Sequence, residues 1–529
     1  MTPVPTPASS AGVGGGVPDR GNRPPWWLVL PALAGAFLAL LPLGYLVVRT
    51  SEAGLERILE ILARPGTTQL VLRSLGLAAT VTILCLVIGI ALGVLVTRTR
   101  LPGRHVLGIL AALPLAIPSY VAAFAWVSAV PWARGFVGAT IVLTACTYPY
   151  VYLPVAAAMR SIDPSLEEVS RSLGRSQLRT FWVVTARQVW PAAASGGLLV
   201  ALYSLSDFGA VSLLQYDVFT RVIHTSYQAS FDRTPAAVLS VLLVGLTLLI
   251  SAGERWSRGP VEETRIGSGV ARRAERLGLG RFRLPALTFV ALVLGVALAF
   301  PVASLLYWFT TGLSAGIDTP RLLTSTVTTL SFAVLGALVT MALAVPMGVL
   351  VARHRGRAAG ALELATWAGH ALPGIVVALS LVFFGVRVAQ PIYQRTPLLL
   401  VAYAVLFLPA GMGAVRAGVA MSSRGVEEVA RSLGSSPLTV LRRITLPLAM
   451  PGVAAGTALV MLTIMKELPA TLLLRPTETN TLATSLWTET GIAAYGAAAP
   501  YALALVILAV VPTLWLMYSQ GRFTAAAAE

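Results

Sequence analysis

Apolar residues are arranged along this chain in long continuous runs, separated by short polar interruptions. Each run is near the length of about twenty residues that an α-helix needs to cross a bilayer. Only helices or a closed barrel satisfy the backbone in lipid, and the runs do not alternate, so the pattern predicts an all-α integral membrane protein. Twelve transmembrane helices are predicted, at 26–48, 74–97, 106–130, 136–159, 189–214, 236–252, 285–310, 326–352, 364–386, 397–419, 449–471 and 499–519.

One of the polar interruptions occurs twice. The segment 165–191 recurs at 425–451, a constant 260 positions later, with eleven of its 27 positions identical. A loop that only joins two spans would not need matched sequence in both copies. The repeat therefore favours a docking surface for a partner, built twice. Its identical positions include Glu167/Glu427, Glu168/Glu428, Arg171/Arg431 and Gly174/Gly434.

The repeat extends beyond these loops. GVLVTRTR at 93–100 matches GVLVARHR at 348–355, an offset of 255. The first half, 26–252 with its loop 160–188, and the second half, 285–519 with its loop 420–448, each contain six predicted spans. An even number of spans returns the chain to the same side, so the halves are parallel repeats about an axis along the membrane normal. Two such halves enclose a central path, which favours a translocation function.

Three polar segments lie outside the halves. Residues 1–25 are rich in Pro, Gly, Ser and Thr and are predicted to be disordered. Residues 253–284 carry eight arginines and form a basic linker, and 520–529 form a short tail. The first apolar run starts late and is long enough to span, so a cleavable signal peptide of the usual form is not predicted.

Charge is distributed unevenly between the two sides of the predicted membrane. The chain is 56% hydrophobic and 12% charged, with a mean hydropathy of +0.79 and a net charge of +17. The basic residues lie in short loops and not on one face of a domain, which argues against nucleic-acid binding. The loops on the side of the repeated segments hold 27 arginines and the opposite loops hold 11. The positive-inside rule then places both termini and both repeated loops in the cytoplasm.

Each repeated loop is predicted to contain a short helix lying across the membrane face. Pro164 or Ser165 can begin it, and acidic residues in its first turn favour the helix dipole. Gly174 or Gly434 then ends it with a sharp turn. The carboxylates and arginines of this helix would be available to a soluble partner.

Charged residues inside two predicted spans mark a second candidate site. Asp207 and Glu467 occupy equivalent positions, and Lys466 is the only lysine of the chain. Charges inside a membrane are costly and usually face a partner or a watery path. Gly209 and Pro469 should weaken their helices, which makes this a candidate gate toward the outer mouth. The alternative is a structural ion-pair set of the three charged residues, joining the two halves.

No further chemistry is indicated. Cys85 and Cys146 lie inside apolar runs and suggest neither a disulfide framework nor a metal site. His224, His354 and His370 lie in unlike places and do not suggest a ligand cluster. The chain lacks a phosphate loop of the GxxxxGK[ST] type, so ATP would have to be bound by a partner and no catalytic residue is expected.

The repeated loops resemble the EAA loop of the membrane subunits of bacterial ABC importers. That pattern is Glu-Ala-Ala, three residues, Gly, and later Ile-x-Leu-Pro. Glu168 with Gly174, and Glu428 with Gly434, match it, although valine replaces the first alanine in both copies. The second copy keeps the Ile-x-Leu-Pro string at 444–447, whereas the first does not.

This resemblance implies the type I (MetI-like) ABC importer permease fold and two kinds of partner. One is a separate ATPase dimer that binds ATP and Mg²⁺ and receives each loop helix in a groove. The other is a solute-binding protein at the outer face. The chain itself is then a transporter subunit without a cofactor.

The strings around Asp207 and Lys466 resemble those of the fused permeases of ferric iron importers. Hard carboxylate oxygens suit a hard cation. The resemblance implies a bacterial inner-membrane permease for Fe³⁺, with no firm metal-binding residues. Within the class, importers of thiamine, sulfate, molybdate and polyamines share the loop. From another class, a secondary transporter driven by an ion gradient is a further alternative, but its repeated signature would be expected in the midplane and not in a cytoplasmic loop.

Overall fold

The computed structural model describes residues 25–162, 164–229, 232–257, 276–313, 316–354, 356–370 and 372–526. Within these ranges the chain is helical, and its β pairing is limited to one isolated bridge between Thr99 and Leu277. The prediction of an all-α protein is confirmed. The predicted disordered segment 1–25, apart from Pro25, and the middle of the predicted linker, 258–275, lie outside the described residues.

The described residues contain ten helices that are long and apolar enough to cross a membrane, and eleven spans if one sharply bent pair is added. Ten of the twelve predicted spans are thus continuous helices, and the other two, the third of each half, are broken. The ten helices are Trp26–Ser51, Pro65–Arg98, Gly135–Ser161, Phe181–Ser206, Thr234–Gly253, Gly280–Gly312, Thr319–Arg353, Thr396–Met421, Pro437–Met465 and Tyr495–Thr513.

The third predicted span of each half is broken in the middle. In the first half, Arg104–Ala116 and Ser119–Ala129 meet at an angle of 91°. In the second half, Arg357–His370 is followed by the separate helix Gly374–Arg387. An extended proline precedes the second helix of each pair: Pro118 with ψ 140° and Pro373 with ψ 142°. A proline inside an apolar run removes a backbone donor and clashes with the preceding turn, so the helix ends there.

The fifth span of each half also ends earlier than predicted. The predicted span 189–214 stops at Ser206, and a short helix, Gly209–Leu213, follows it. The predicted span 449–471 stops at Met465 and is followed by Pro469–Leu474. Both breaks fall at the charged residues singled out from the sequence. Each half therefore has a helix that ends at charged groups within the bundle.

The first span of each half packs against the other half. Trp26–Ser51 lies along Thr319–Arg353, where Gly35 allows a close approach to Met347. In return, Phe300 of the second half contacts Trp126 of the first, with ring centroids 4.2 Å apart. The two halves are therefore interlocked, and the spatial division of the protein does not follow the division of its sequence at the linker.

Glycine sets the packing distance at equivalent positions of the two halves. A Cβ on Gly93 would lie 2.5 Å from Val155, and one on Gly348 would lie 2.7 Å from Val415. Both glycines belong to the repeated GVLV string, one and a half turns before Arg98 and Arg353. They bring the end of each long helix against its neighbour, close to the polar loop.

Candidate functional site

Both repeated loops form the predicted short helix. The helices are Pro164–Ser172 and Arg424–Ser432. Each is followed by a glycine in the left-handed region, with φ +78° at Gly174 and +83° at Gly434. The amide of each glycine donates to the carbonyl three residues before it, at 2.9 and 3.0 Å, which satisfies carbonyls that the helix end leaves free. Glycine is required there because a side chain would be strained at such a φ.

The first glutamate of each Glu-Glu pair is turned into the protein. Glu167 accepts hydrogen bonds from the Arg98 guanidinium at 2.8 Å and the Thr185 hydroxyl at 2.7 Å. We call such an arginine, glutamate and threonine a clasp, and Arg98, Glu167 and Thr185 are the first clasp.

The second clasp repeats this geometry. Glu427 accepts from Arg353 at 2.7 Å and from Thr445 at 2.9 Å. The glutamate side chains are 13% and 5% exposed, and both arginine side chains are 9% exposed. The expectation that these carboxylates are available to a partner is wrong for Glu167 and Glu427, because the helix period turns only one residue of each pair outward.

The second glutamate of each pair faces outward. Glu168 and Glu428 are exposed. Arg171 and Arg431 lie at the rim of the clasps, with a guanidinium nitrogen 3.9 and 3.8 Å from the clasp glutamate. Apolar side chains surround the exposed glutamates, namely Leu166, Val169, Leu173, Val426, Val429 and Leu433. Each loop thus presents a mixed acidic and apolar face, a composition typical of a protein contact.

A cavity of about 250 Å³ lies between the two halves. All five residues assigned to the candidate gate line it: Asp207, Gly209, Lys466, Glu467 and Pro469. The broken third spans contribute Pro118 and Gly374, one from each half. Cys146 and Tyr150, near the middle of the span Gly135–Ser161, also line the cavity, so it reaches the centre of the bundle. We call it the central cavity.

The two carboxylates of the central cavity cap equivalent short helices. Asp207 accepts from the backbone amides of Ala210 and Val211 at 3.0 and 3.3 Å, and the Ser119 hydroxyl donates to its other oxygen. Glu467 accepts from the amides of Ala470 and Thr471, both at 2.9 Å. These bonds satisfy the amides that a helix start leaves free, and they hold negative charge at the positive end of the helix dipole.

Lys466 is held in a different way. Its ammonium donates to the carbonyl oxygen of Leu115, across the interface between the halves, at 3.3 Å. Among the described residues no carboxylate lies within salt-bridge distance of this lysine. The alternative that Asp207, Lys466 and Glu467 form an ion-pair set is therefore not supported. An ammonium makes up to three hydrogen bonds, so Lys466 keeps donors free to face the cavity.

Gly209 allows a close contact at the break. A Cβ on Gly209 would lie 2.7 Å from the Cβ of Tyr120. This glycine lets the short helix Gly209–Leu213 pack directly on the bend of the third span. Its φ is not in the left-handed region, so the requirement is for space and not for an unusual backbone conformation.

Four residues of the clasps were missed by sequence reasoning. They are Arg98, Arg353, Thr185 and Thr445. The sequence does mark these residues as repeated, because Arg98 and Arg353 occupy equivalent positions of the GVLV repeat and Thr185 and Thr445 are identical positions of the repeated loop. The sequence does not show that the side chains at these positions contact Glu167 and Glu427.

Groups of three or more His, Cys, Asp or Glu side chains that could hold a metal ion are absent from the described part of the chain. Cys85 and Cys146 are buried free thiols, and Cys85 lies 3.3 Å from the Thr147 hydroxyl. His224 is buried against the ring of Phe208, with centroids 4.7 Å apart. The chemistry of the site is thus carried by two capping carboxylates, one amine and the exposed loops.

Comparison with protein families places both halves in one group. The family of binding-protein-dependent transport system inner membrane components matches residues 85–256 and again 344–524. Each match contains one repeated loop and one set of cavity residues. The internal repeat is therefore a duplication of the family's unit.

Individual relatives of the chain are also transport permeases. The chain is 37% identical over 499 residues to an Fe(3+)-transport system permease protein of Haemophilus influenzae, covering 94% of this chain and 98% of the relative. It is 22% identical over 492 residues to a ferric transport system permease protein of Actinobacillus pleuropneumoniae, covering 86% and 71%. A molybdenum transport system permease protein of Mycobacterium tuberculosis is 28% identical over 250 residues, covering 43% of this chain and 93% of the relative.

Proposed function

The chain belongs to the family of binding-protein-dependent transport system inner membrane components, and on that premise we propose that it is the permease of an ATP-driven Fe³⁺ importer. The observation that carries the choice of cargo is the 37% identity with the Haemophilus influenzae Fe(3+)-transport system permease protein, which extends over 94% of this chain. The alignment includes both halves. One chain would therefore supply both sides of the translocation path.

The central cavity is the proposed passage for the cargo. It is lined from both halves, and its lining residues include Asp207, Glu467, Tyr150 and Tyr203, which carry carboxylate and hydroxyl oxygens. Oxygen donors of this kind suit a hard cation. Each carboxylate oxygen has two lone pairs, so the capping bonds leave acceptor capacity for a passing ion.

The exposed faces of the loop helices are the proposed contacts with a separate ATPase dimer. Glu168 and Glu428 with their apolar neighbours would seat in the ATPase. ATP and Mg²⁺ would be bound by that partner, and this chain would contribute no catalytic residue. Closure of the dimer would bring the two loop helices together and switch access to the central cavity from one side of the membrane to the other.

The proposed orientation follows from the arginine-rich loops. The side that carries the two loop helices would face the cytoplasm, together with both termini and the linker. A solute-binding protein would deliver the cargo at the opposite face. The proposed domains are a first permease half at 26–252, a second at 285–519 and the basic linker 253–284.

An oxyanion permease is the second candidate. Relatives that cover about half of this chain are molybdenum and molybdate/tungstate permeases, at 26–28% identity. The ammonium of Lys466 in the central cavity would attract an anionic cargo, whereas the carboxylates of Asp207 and Glu467 would repel it.

The test is uptake of ⁵⁵Fe³⁺ by proteoliposomes that contain the chain, its ATPase and its binding protein. Accumulation that requires both ATP and the binding protein is the expected result. ATP hydrolysis stimulated by the binding protein, with no movement of iron, would contradict the cargo and direct the assay to radiolabelled molybdate.

A further inference from the structure

The clasps join three separate elements at one buried point in each half. In the first half, Glu167 of the loop helix is bound to Arg98, the last residue of the long helix Pro65–Arg98, and to Thr185. Thr185 is the last residue of a π-helical turn, Phe181–Thr185, from which the fifth span continues. The second half has the same arrangement, with a π-helical turn at Leu441–Thr445. Such turns are rare and often mark functional positions.

Burial makes each clasp a rigid joint. The arginine and glutamate side chains are nearly withdrawn from water in both copies, and the threonines are 3% exposed. A buried ion pair is costly to separate, because either partner alone leaves an unpaired charge in a medium of low polarity. The loop helix therefore cannot move without carrying the end of the long helix and the start of the fifth span with it.

The fifth span connects each clasp to the central cavity. Ala186–Ser206 begins next to Thr185 and ends next to Asp207. Leu446–Met465 begins next to Thr445 and ends at Lys466 and Glu467. At about 1.5 Å per residue, each helix separates its clasp from the cavity by roughly 30 Å. A displacement at the clasp is thus delivered along one continuous helix to the charged residues of the cavity.

We propose that Glu167 and Glu427 are positioning residues that transmit movement of the loop helices to the central cavity without touching the ATPase. This inference rests on the proposed function of the chain as an ATP-driven permease. The neighbouring Glu168 and Glu428 make the contact with the ATPase, and the clasps convert that contact into movement of the fifth spans. Adjacent glutamates of one short helix thus have separate tasks, docking and transmission.

The experiment compares two matched double variants of the complete importer, Glu167→Gln with Glu427→Gln and Glu168→Gln with Glu428→Gln. Glu60→Gln is the control, since Glu60 is an exposed residue paired only with surface arginines. Three quantities are measured: the ATPase that copurifies with the chain, the ATPase concentration that gives half-maximal hydrolysis, and the iron imported per ATP hydrolysed.

The clasp variants should retain the ATPase as the wild type does, while iron imported per ATP falls at least about fivefold, the lower range of a typical coupling between sites. The Glu168/Glu428 variants should require more ATPase for half-maximal hydrolysis, with iron per ATP close to the wild-type value. Loss of ATPase binding in the clasp variants would overturn the proposal, because it would make Glu167 and Glu427 docking residues. Wild-type iron per ATP in those variants would also overturn it.

Thr185→Val with Thr445→Val keeps the test decisive if the glutamate variants do not fold. Valine has nearly the same shape as threonine, and these buried positions cannot reach a soluble partner. The threonine variants should also import less iron per ATP, and an unchanged ratio would count against transmission through the clasps. If the wild type moves no iron, the proposed cargo fails, but the clasps remain testable through the stimulation of ATP hydrolysis by the binding protein.

Discussion

The Asp207→Asn variant should fold as well as the wild type and fail to import iron. Asp207 accepts from the amides of Ala210 and Val211 at 3.0 and 3.3 Å and from the Ser119 hydroxyl. Asparagine caps a helix start about as well as aspartate does. The Ser119 hydroxyl can reverse its role and accept from the asparagine amide, because a hydroxyl both donates and accepts. The variant therefore removes the charge and keeps the cap.

The Asp207→Ala variant separates this effect from loss of the cap. Removing a helix cap costs about 0.5–2 kcal/mol, and a buried amide left without a partner costs about 1–3 kcal/mol. Alanine should therefore lower the free energy of unfolding by roughly 1.5–5 kcal/mol. Asparagine should change it by less than about 0.5 kcal/mol, and thermal unfolding in detergent distinguishes the two.

Iron uptake decides the role of the charge. A carboxylate inside a membrane is costly, and an amide would satisfy the same backbone groups, so we expect the charge to serve the cargo. Uptake by Asp207→Asn should fall at least about tenfold, or about 1.4 kcal/mol in the barrier. Glu467→Gln tests the equivalent position of the second half. Wild-type uptake by a stably folded Asp207→Asn protein would refute the reasoning and leave Asp207 as a helix cap alone.

Three further predictions concern stability, each measured by thermal unfolding of the purified chain in detergent. Gly93→Ala places a methyl group 2.5 Å from Val155 and should lower the free energy of unfolding by about 1–3 kcal/mol. Adding Val155→Ala to the same chain makes room for that methyl group and should restore part of the lost stability. Arg353→Ala removes the closest cationic partner of the buried Glu427 carboxylate, which keeps only the Thr445 hydroxyl and the more distant Arg431, and should cost up to about 3–5 kcal/mol. Burial and the nearby Arg431 lower the pKa of His354 below its usual 6.5, so protonation favours the unfolded chain. The wild type should lose more stability than His354→Gln as the pH falls below about 6.5, and equal losses would contradict this assignment.

The sequence was sufficient to predict the helical membrane architecture, the repeat and five of the residues that line the central cavity. It was insufficient to predict the broken third spans, because the apolar run is the same length whether its helix is continuous or ends at a proline. Pro118 and Pro373 differ from Pro42, which lies inside an unbroken helix. Whether a helix continues past a proline depends on which neighbours satisfy the freed backbone groups, and this is a property of the packed bundle.

The interlocking of the halves was also beyond the sequence. In a soluble helix an apolar stripe indicates the buried face, but a span that faces lipid is apolar all round. The apolar pattern of Trp26–Ser51 therefore does not indicate that this helix packs against Thr319–Arg353 of the opposite half. Likewise, two adjacent glutamates do not reveal which one is buried. For Glu167 and Glu427 that choice depends on Arg98 and Arg353, which lie about seventy residues earlier in the chain.

The two clasps are alike, but their surroundings are not. The backbone at the first clasp is bonded to the segment that precedes the second half. The Leu277 amide donates to the carbonyl of Arg98 at 2.9 Å, and the Leu277 carbonyl accepts from the amide of Arg100 at 3.0 Å. The second clasp instead borders a small cavity of about 100 Å³ that Trp27 and His354 help to line. The first is thus tied by backbone hydrogen bonds to the segment before the second half, whereas the second faces a cavity beside the first span. Movement of the first loop helix would carry Leu277 with it, whereas movement of the second would change the cavity beside Trp27. Each clasp therefore lies beside a segment that belongs to, or leads into, the other half of the chain, so a displacement of either loop helix would reach both halves.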